Sequence, residues 1–269
     1  MAENGVFTKR AVCFLDVLGF RKMLSAKPLS EVVAKYDRII TMQSSINRPF
    51  RENAEVPSLF PGHSLDRPYC HRYVFSDSII LIADDEDALS CLKLIVHAWR
   101  FMQLSLAQRV PIRGAIVFGE MYMDQTKNIY VGQALTCAYD LEKQQNWVGV
   151  AVDSSVENAY PELFKEHGQN EVVLPFLFRY QVPMKSGQPV ESWILNWRWN
   201  LVAQHGTRSL FSSDPETDIS EKVGNTLKYA AAVIKTGRIY SRDDSAIPVE
   251  MRCCWVGEKE PRFVHGDDL

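Results

Sequence analysis

The sequence lacks several features that would assign a function directly. No run of 18 apolar residues occurs, and the first ten residues contain no apolar signal segment, so neither a membrane-spanning helix nor a secretory leader is predicted. Acidic and basic residues nearly balance, with a formal net charge of −3, which gives no support for a nucleic-acid partner. P-loop, dinucleotide-binding and GxSxG hydrolase motifs are also missing.

Cysteine offers neither a disulfide framework nor a zinc ribbon. The six cysteines form no CxxC pair and follow no regular spacing (positions 13, 70, 91, 137, 253 and 254). Several of them fall in apolar runs, as reduced core thiols do. We therefore expect a cytoplasmic protein.

What is present is a globular composition, 46% hydrophobic over 269 residues, arranged in alternating strand-like and helix-like segments. This order predicts an α+β fold with a ferredoxin-like βαββαβ core, followed by a C-terminal hairpin and helix. The predicted segments are strands 11–18, 112–122 and 148–152, helices 30–45, 84–109, 135–145 and 219–235, and hairpins 73–83 and 178–197.

The domain organisation is predicted from shifts in composition. One domain spans residues 8–200 and is interrupted by a proline-containing excursion over 47–70. Such long connections within compact domains are often functional. Residues 201–269 are predicted to supply a helix that packs on the same domain and a charged, peripheral tail after Arg238.

Two acidic turns are the most informative feature of the chain. Asp16 lies in AVCFLDVLGF and Asp77 in YVFSDSIILIA, each inside an otherwise apolar, strand-like run. A carboxylate at such a place is costly unless it faces solvent, a cation or a partner. Two carboxylates on neighbouring strands would suit a hard divalent metal. The plain alternative is that each aspartate only serves its own turn.

Six segments, which follow one another in the order of the family's own motifs, resemble the homology domain of class III nucleotide cyclases over about residues 8–197. The resemblance implies the fold predicted above and an aspartate at the tip of a hairpin, which Asp77 matches. The segments are FLDVLGF, FSDSIIL, IRGAIVFGE, YVGQALTCAYDLE, VGVAVDSSV and VPMKSGQPVESWILN.

Within that family, the chain is most similar in pattern to the pyrimidine cyclases of bacterial Pycsar anti-phage systems. The excursion makes the interval between Asp16 and Asp77 61 residues, longer than expected of purine cyclases. The resemblance implies a lyase that converts UTP, or less readily CTP, to a 3′,5′-cyclic monophosphate and pyrophosphate. It also implies a role in antiviral defence, in which a separate effector responds to the cyclic nucleotide.

The resemblance also implies a set of site residues. Asp16, Asp77 and the backbone carbonyl of Val17 would hold two Mn²⁺ or Mg²⁺ ions in each active site. The turn at Gly19 and Phe20 would bind phosphate through backbone N–H groups, and the hairpin residue Lys185 would bind the triphosphate. A simple strand-to-helix turn and an exposed hairpin lysine are the alternatives for these last two assignments.

Several positions depart from the purine cyclases. Their base-reading Lys and Asp are replaced by Tyr73 and Ile129, and their transition-state Asn and Arg by Thr136 and Asp140. We place Tyr73, Ile129 and Thr136 in the base pocket, with Phe50 as a stacking candidate that could equally be a core aromatic.

The missing arginine matters because charge that develops on phosphoryl oxygens needs a cation. Arg51, Arg113 or Lys143 could replace it, the metals could carry more of the charge, or activity could be lost. The family also implies a homodimer with active sites at the interface and a nucleoside triphosphate as substrate.

Two other functions are compatible with the sequence. The first is a catalytically degenerate cyclase fold that binds a nucleotide or a protein, as the replacements at Thr136 and Asp140 suggest. The second is a phosphatase-like enzyme with Asp16 as the nucleophile. This second function is weakly supported, because position 18 is Leu where such enzymes have a second aspartate.

Overall fold

The computed structural model describes residues 5–44, 70–164, 177–197 and 220–235. A short 3₁₀ turn, Pro161–Leu163, follows the fifth helix. The other elements, in chain order, are β1 Val6–Val17, α1 Phe20–Ala26, α2 Leu29–Ser44, β2 Cys70–Phe75, β3 Ser78–Ala83, α3 Ala88–Ala107, β4 Ile112–Asp124, β5 Ile129–Val131, α4 Gln133–Gln144, β6 Val150–Val152, α5 Ser154–Ala159, β7 Leu177–Val182, β8 Val190–Leu195 and α6 Ser220–Lys235.

The strands form one mixed sheet in the order β2-β3-β1-β4-β6-β8-β7. Strand β5 pairs with the C-terminal end of β4. Strand β1 lies between β3 and β4 and is antiparallel to both. Strands β4 and β6 are parallel, as expected for strands joined through a crossover helix. The predicted α+β class and the βαββαβ order are therefore confirmed.

Side chains of β1 alternate between two faces of this sheet. Ala11, Cys13 and Leu15 point into the main core, which helix α3 covers. Val12 and Phe14 point to the opposite face, where helix α4 packs through small residues such as Ala138. This alternation places Asp16, the next even-numbered residue, on the α4 face.

Helix α3 is buried along nearly its whole length, as expected of a helix that is apolar all round. It begins at Ala88 rather than at residue 84, because the Asp87 side chain caps it by accepting a hydrogen bond from the Ser90 amide at 2.7 Å. Within the described ranges no helix is long and apolar enough to cross a bilayer.

An aromatic cluster attaches the C-terminal helix to the sheet. Tyr229 of α6 is fully buried and packs against the rings of Trp147 and Trp197, with centroids 5.4 and 5.6 Å away. The Tyr229 hydroxyl donates to Asn196 Oδ1 at 2.9 Å. Helix α6 is therefore packed on the sheet through both aromatic contacts and a buried hydrogen bond.

Some predicted features differ from the structure, and others lie outside the described residues. Helices α1 and α5 and strand β5 were not predicted, because each is too short to show a clear period. The boundary near residue 200, almost all of the 47–70 excursion with Phe50 and Arg51, and the tail after Arg238 fall in ranges that the structure does not describe. The domain boundaries stay predictions.

We predict opposite effects for two glycine-to-alanine substitutions. Gly114 lies where β4 closely approaches β1, and a Cβ there would meet the Phe14 carbonyl oxygen at 2.5 Å. Gly114→Ala should lower the free energy of unfolding by about 1–3 kcal/mol. Gly224 lies inside α6 with open space around it, so Gly224→Ala should raise that free energy by about 0.5–1 kcal/mol.

Urea denaturation of both variants beside the natural protein measures the two effects. Equal stability of Gly114→Ala and the natural protein would contradict the close approach of β4 to β1.

Candidate active site

Pairing between β1 and β3 brings Asp16, near the end of β1, close to Asp77 at the β2–β3 bend. This place at the end of the two strands is called the corner below. Asp16 lies opposite Ser78, the residue that follows Asp77 at the hairpin bend. The Val17 amide donates to the Asp77 carbonyl oxygen at 2.9 Å. Since the N–H and C=O of one residue point to the same edge of an antiparallel strand, the Val17 carbonyl also points toward this bend.

The Asp16 carboxylate is largely shielded from solvent, with 13% of its side chain exposed. Burial raises its pKa from 3.8 to about 6, and the negative charges of Glu142 and Asp77 act in the same direction. Lys143 and Arg113 oppose the shift, with Lys143 Nζ 3.9 Å from Asp16 Oδ2. The corner therefore holds more negative charge than its own cations neutralise.

A buried ion pair lies beneath Asp16. Arg113 Nε donates to Glu142 Oε1 at 2.7 Å, and Arg113 Nη1 donates to the Gln145 carbonyl oxygen at 2.8 Å. Both charged side chains are almost completely buried. This guanidinium is occupied by protein groups, so Arg113 is unsuited to replace the missing transition-state arginine.

Lys143 is better placed for that task. Its side chain is 42% exposed, and its ammonium lies 5.3 Å from the centre of the Tyr139 ring and 3.6 Å from Glu142 Oε2. The third alternative, Arg51, lies outside the described residues.

Tyr36 of helix α2 is a further member of this corner. Burial raises the pKa of its phenol, and the charges of Asp77 and Asp16 raise it further. Its hydroxyl is buried and has no hydrogen-bond partner among the described residues. A buried polar atom without a partner is rare in native proteins and calls for an explanation such as a bound ion or water.

The donor set fits a hard divalent cation. The chain offers two carboxylates and one peptide carbonyl, all oxygen ligands of the kind that Mg²⁺ and Mn²⁺ prefer. No group of three His, Cys, Asp or Glu side chains in the described part of the chain is arranged to hold a metal. A bound ion would therefore need the Val17 carbonyl and further oxygens from water or phosphate.

Gly19 joins β1 to helix α1 in a left-handed conformation, with φ 76° and ψ 13°. A residue with a side chain rarely adopts this conformation, which explains the glycine. Its carbonyl accepts a hydrogen bond from the Met23 amide at 3.0 Å, and Phe20 packs with its ring centre 5.7 Å from that of Tyr36. This turn lies beside the two aspartates, and its contact with phosphate stays a prediction.

Lys185 lies in the turn between β7 and β8. Its amide donates to the Gln144 carbonyl oxygen at 2.7 Å, which fastens the turn to the end of helix α4. Burial lowers the pKa of the Lys185 ammonium, as do the nearby charges of Arg113, Lys222 and Lys143, against the opposing charge of Glu142. The turn thus projects a lysine beside other cations, and its role in binding triphosphate is not tested by these contacts.

Tyr73 and Ile129 lie away from the aspartates of the same chain. The Tyr73 ring packs against that of Tyr130, with centroids 4.2 Å apart, and Ile129 is 39% exposed on β5. Tyr73 lies on β2 opposite Ile80, whereas Asp77 lies at the bend beyond the end of that strand.

Thr136 is an exposed residue in the first turn of α4, and its hydroxyl donates to the Gly132 carbonyl oxygen at 3.3 Å. Seven residues separate it from Lys143, or about 10 Å along the helix. The proposed base-pocket residues of one chain therefore do not surround that chain's own Asp16.

Sequence reasoning missed Glu142 and Tyr36. Glu142 lies in the last turn of α4, where the helix dipole disfavours a negative charge, and this unfavourable position is a usable sign of a buried partner. Tyr36 gives no comparable sign, because it fits the apolar period of α2. Only the packing of α2 near the β2–β3 bend reveals its place.

Comparison with known proteins finds similarity in structure only. No profile of a protein family matches the chain, and no curated protein does. The adenylyl cyclase CyaB from P. aeruginosa is 11% identical with a TM-score of 0.49, covering 71% of this chain and 95% of its own. The guanylyl cyclase Cya2 is 13% identical with a TM-score of 0.46, covering 71% and 93%.

An adenylate/guanylate cyclase/hydrolase from Silicibacter pomeroyi is 13% identical with a TM-score of 0.44, covering 71% of this chain and 98% of its own. With TM-scores below 0.5 and such low identities, these matches carry no argument about activity. The case for a function depends on the residues of the site.

We predict that Asp16→Asn stabilises the metal-free protein at pH 8. The pKa of Asp16 is about 6 when folded, against an ordinary 3.8, so the folded state binds the proton more tightly and loses stability as the pH rises through this window. Removing the charge should raise the free energy of unfolding by about 1–3 kcal/mol at pH 8, with the difference fading toward pH 4.

Urea denaturation in EDTA at both pH values checks this prediction. Asp140→Asn, at an exposed position of α4, is the control and should change little at either pH. A destabilised Asp16→Asn protein at pH 8 would contradict the free-energy cost that we assign to the buried, charged form of Asp16.

Proposed function

We propose that the protein is a metal-dependent nucleotide cyclase that converts UTP, and CTP less readily, to a 3′,5′-cyclic monophosphate and pyrophosphate. The observation that carries the proposal is the meeting of Asp16, Asp77 and Val17 at one corner of the sheet. Three features support it: the burial of Asp16, the neighbouring Lys143 and the order of the six sequence motifs.

In the proposed reaction, the ribose 3′-oxygen attacks the α-phosphorus, the bond to the β-phosphate oxygen breaks, and pyrophosphate leaves. The proton of the 3′-hydroxyl passes to solvent. Asp16, Asp77 and the Val17 carbonyl would hold Mn²⁺ or Mg²⁺, which when bound acidifies the 3′-hydroxyl and neutralises the triphosphate. The family resemblance implies two ions per site.

Cations of the chain itself handle the remaining charge. Lys143 lies beside Asp16 and supplies the positive charge that the family's arginine gives to the phosphoryl oxygens. Backbone N–H groups of the Gly19–Phe20 turn and the Lys185 ammonium bind the leaving pyrophosphate.

The proposed active form is a homodimer with sites shared at the interface. Support comes from the distance between the base-pocket residues and Asp16 within one chain. Only the base-pocket residues of a partner chain could then lie next to the aspartates. Further support comes from large apolar side chains left exposed on β2, β5 and α4, a kind of surface that proteins usually cover. These are Val74, Phe75, Ile129, Val131 and Tyr139.

Preference for a pyrimidine base follows from Tyr73 and Ile129. Neither offers the lysine or aspartate that reads a purine, and the Tyr73 ring is packed against that of Tyr130. Tyr73 offers an aromatic face to a smaller base, to which Thr136 can add a hydroxyl, while the Tyr73 hydroxyl is hydrogen-bonded to Tyr130.

We predict that the purified protein releases pyrophosphate and a cyclic product from UTP in Mn²⁺, with slower turnover of CTP and least of ATP and GTP. Asp77→Asn should lower kcat at least about 100-fold, because a ligand of the metals is lost. Chromatography of products from all four nucleotides measures both effects.

Asp37→Asn, on the exposed side of α2, is the matched control and should leave turnover unchanged. No cyclic product from any nucleotide, at protein concentrations that sustain a dimer, would overturn the enzyme proposal.

A double substitution tests the base assignment. Tyr73→Lys with Ile129→Asp restores the two polar groups of the purine cyclases and opens the Tyr73–Tyr130 pair. We predict that the ratio of kcat/KM for purine over pyrimidine triphosphates rises about tenfold or more. An unchanged ratio in a folded double variant would remove Tyr73 and Ile129 from the base pocket.

A second candidate function is a degenerate cyclase fold that binds nucleotide without catalysis. Engagement of Arg113 by Glu142 favours it, together with the exposed Thr136 and Asp140 at the positions of the family's transition-state groups. It predicts nucleotide binding by calorimetry with no release of pyrophosphate. A cytoplasmic role in phage defence, with a separate effector that responds to the product, is part of the proposal only through the sequence resemblance.

A further inference from the structure

Three lysines from distant parts of the chain extend from one small region. Lys143 is in the last turn of α4, Lys185 in the β7–β8 turn, and Lys222 near the start of α6. Lys222 belongs to none of the six motifs that carry the resemblance. What the three share is a common set of hydrogen bonds that centres on Asn146.

Asn146 joins the three segments. Its amide donates to the Pro183 carbonyl oxygen at 2.7 Å, two residues before Lys185. Its side chain donates to Glu221 Oε1 at 2.9 Å, and its carbonyl oxygen accepts from Asn225 Nδ2 at 2.8 Å, so both partners flank Lys222 on α6. Asn146 itself follows Lys143 by three residues.

Another set of hydrogen bonds fixes the first turns of α6. The Thr226 hydroxyl donates to the Lys222 carbonyl oxygen at 2.7 Å and accepts from the Val148 amide at 2.8 Å. Thr226 is fully buried, so this attachment is shielded from water. The backbone of Lys222 is thereby held beside the segment that follows α4.

The acidic groups around the three lysines are paired in part with other residues, and Lys143 also lies 3.9 Å from Asp16 Oδ2 and 3.6 Å from Glu142 Oε2. Glu142 pairs with Arg113, and Glu221 accepts from Asn146. Burial lowers the pKa of Lys185, and the charges of Arg113, Lys222 and Lys143 act in the same direction while Glu142 opposes them. Like charges held close together cost free energy, which an anion would relieve.

We propose that Lys143, Lys185 and Lys222 together bind a polyphosphate chain, with Lys222 supplied by the C-terminal helix. This assignment rests on the proposed function in naming the ligand as the triphosphate of a nucleotide or the pyrophosphate released from it. Lysine suits the task because its ammonium is a mobile point charge that donates to several phosphate oxygens. Helix α6 is then part of the active site as well as of the fold.

The test measures binding of inorganic tripolyphosphate to the full chain by calorimetry, in EDTA and without nucleotide. Under these conditions no bound metal can hold the ligand, and the charges of Asp16 and Asp77 are the same in every lysine variant compared. Lys222→Gln should weaken binding about tenfold, by the loss of one charge-assisted contact. Lys228→Gln, at an exposed position on the same helix, is the matched control and should leave affinity unchanged.

Lys185→Gln should weaken binding to a similar extent, and Lys222→Arg should keep most of the affinity. Thermal unfolding checks that each variant is folded, and Lys222→Met replaces Lys222→Gln if the latter is not. Equal affinities for Lys222→Gln, Lys228→Gln and the natural protein would overturn the assignment of Lys222. Absence of tripolyphosphate binding to the natural protein at millimolar concentration would overturn the site.

The same experiment separates this inference from the proposed function. Binding that depends on Lys222, in a protein that releases no pyrophosphate from any nucleoside triphosphate, would support the polyphosphate site and reject the cyclase. Turnover that Lys222→Gln leaves unchanged, with unchanged tripolyphosphate affinity, would keep the cyclase and reject this site.

Discussion

The buried ion pair between Arg113 and Glu142 is the interaction on which the corner around Asp16 depends. It joins the middle of the sheet to the end of α4 across 29 residues of sequence, and the same guanidinium holds the Gln145 carbonyl. Removing either partner would leave a charge without compensation in the interior. The pair therefore fixes how α4 ends, and with it where Lys143 and Asn146 lie.

This arrangement places charges of both signs within a small volume. Burial is the main cause that raises the pKa of Asp16, the charge of Glu142 adds to it, and Lys143 and Arg113 oppose it. Keeping this carboxylate charged costs the folded chain free energy. Such a corner is suited to bind a cation together with an anionic ligand. In the proposed site, stability and metal binding oppose each other at Asp16.

Much of the fold could be predicted from the sequence, since apolar runs ended by glycine or by a short polar turn indicate strands and a period of 3.6 indicates helices. The bend at Asp77 was predictable because Ser76-Asp77-Ser78 interrupts a β-branched run. The register that sets Asp16 opposite Ser78 could not be predicted, because it depends on how β3 inserts beside β1.

The surroundings of the candidate site were harder to predict than its two aspartates. Glu142, Tyr36 and Lys222 lie near groups that are far away in the chain, and such proximity leaves no local pattern. Arg113 illustrates the opposite case. From the sequence it could replace the missing transition-state arginine, but its contact with Glu142 shows that its guanidinium is already engaged.

The aromatic cluster around Tyr229 contains two tryptophans whose fluorescence depends on the position of helix α6. Trp147 and Trp197 have no exposed surface and share their contact with one tyrosine of the last described helix. Their fluorescence depends on the polarity of that contact, so a detached helix would shift their emission to longer wavelengths as water reaches the indoles. Of the six tryptophans in the chain, these two can therefore report on the docking of this helix without any added label.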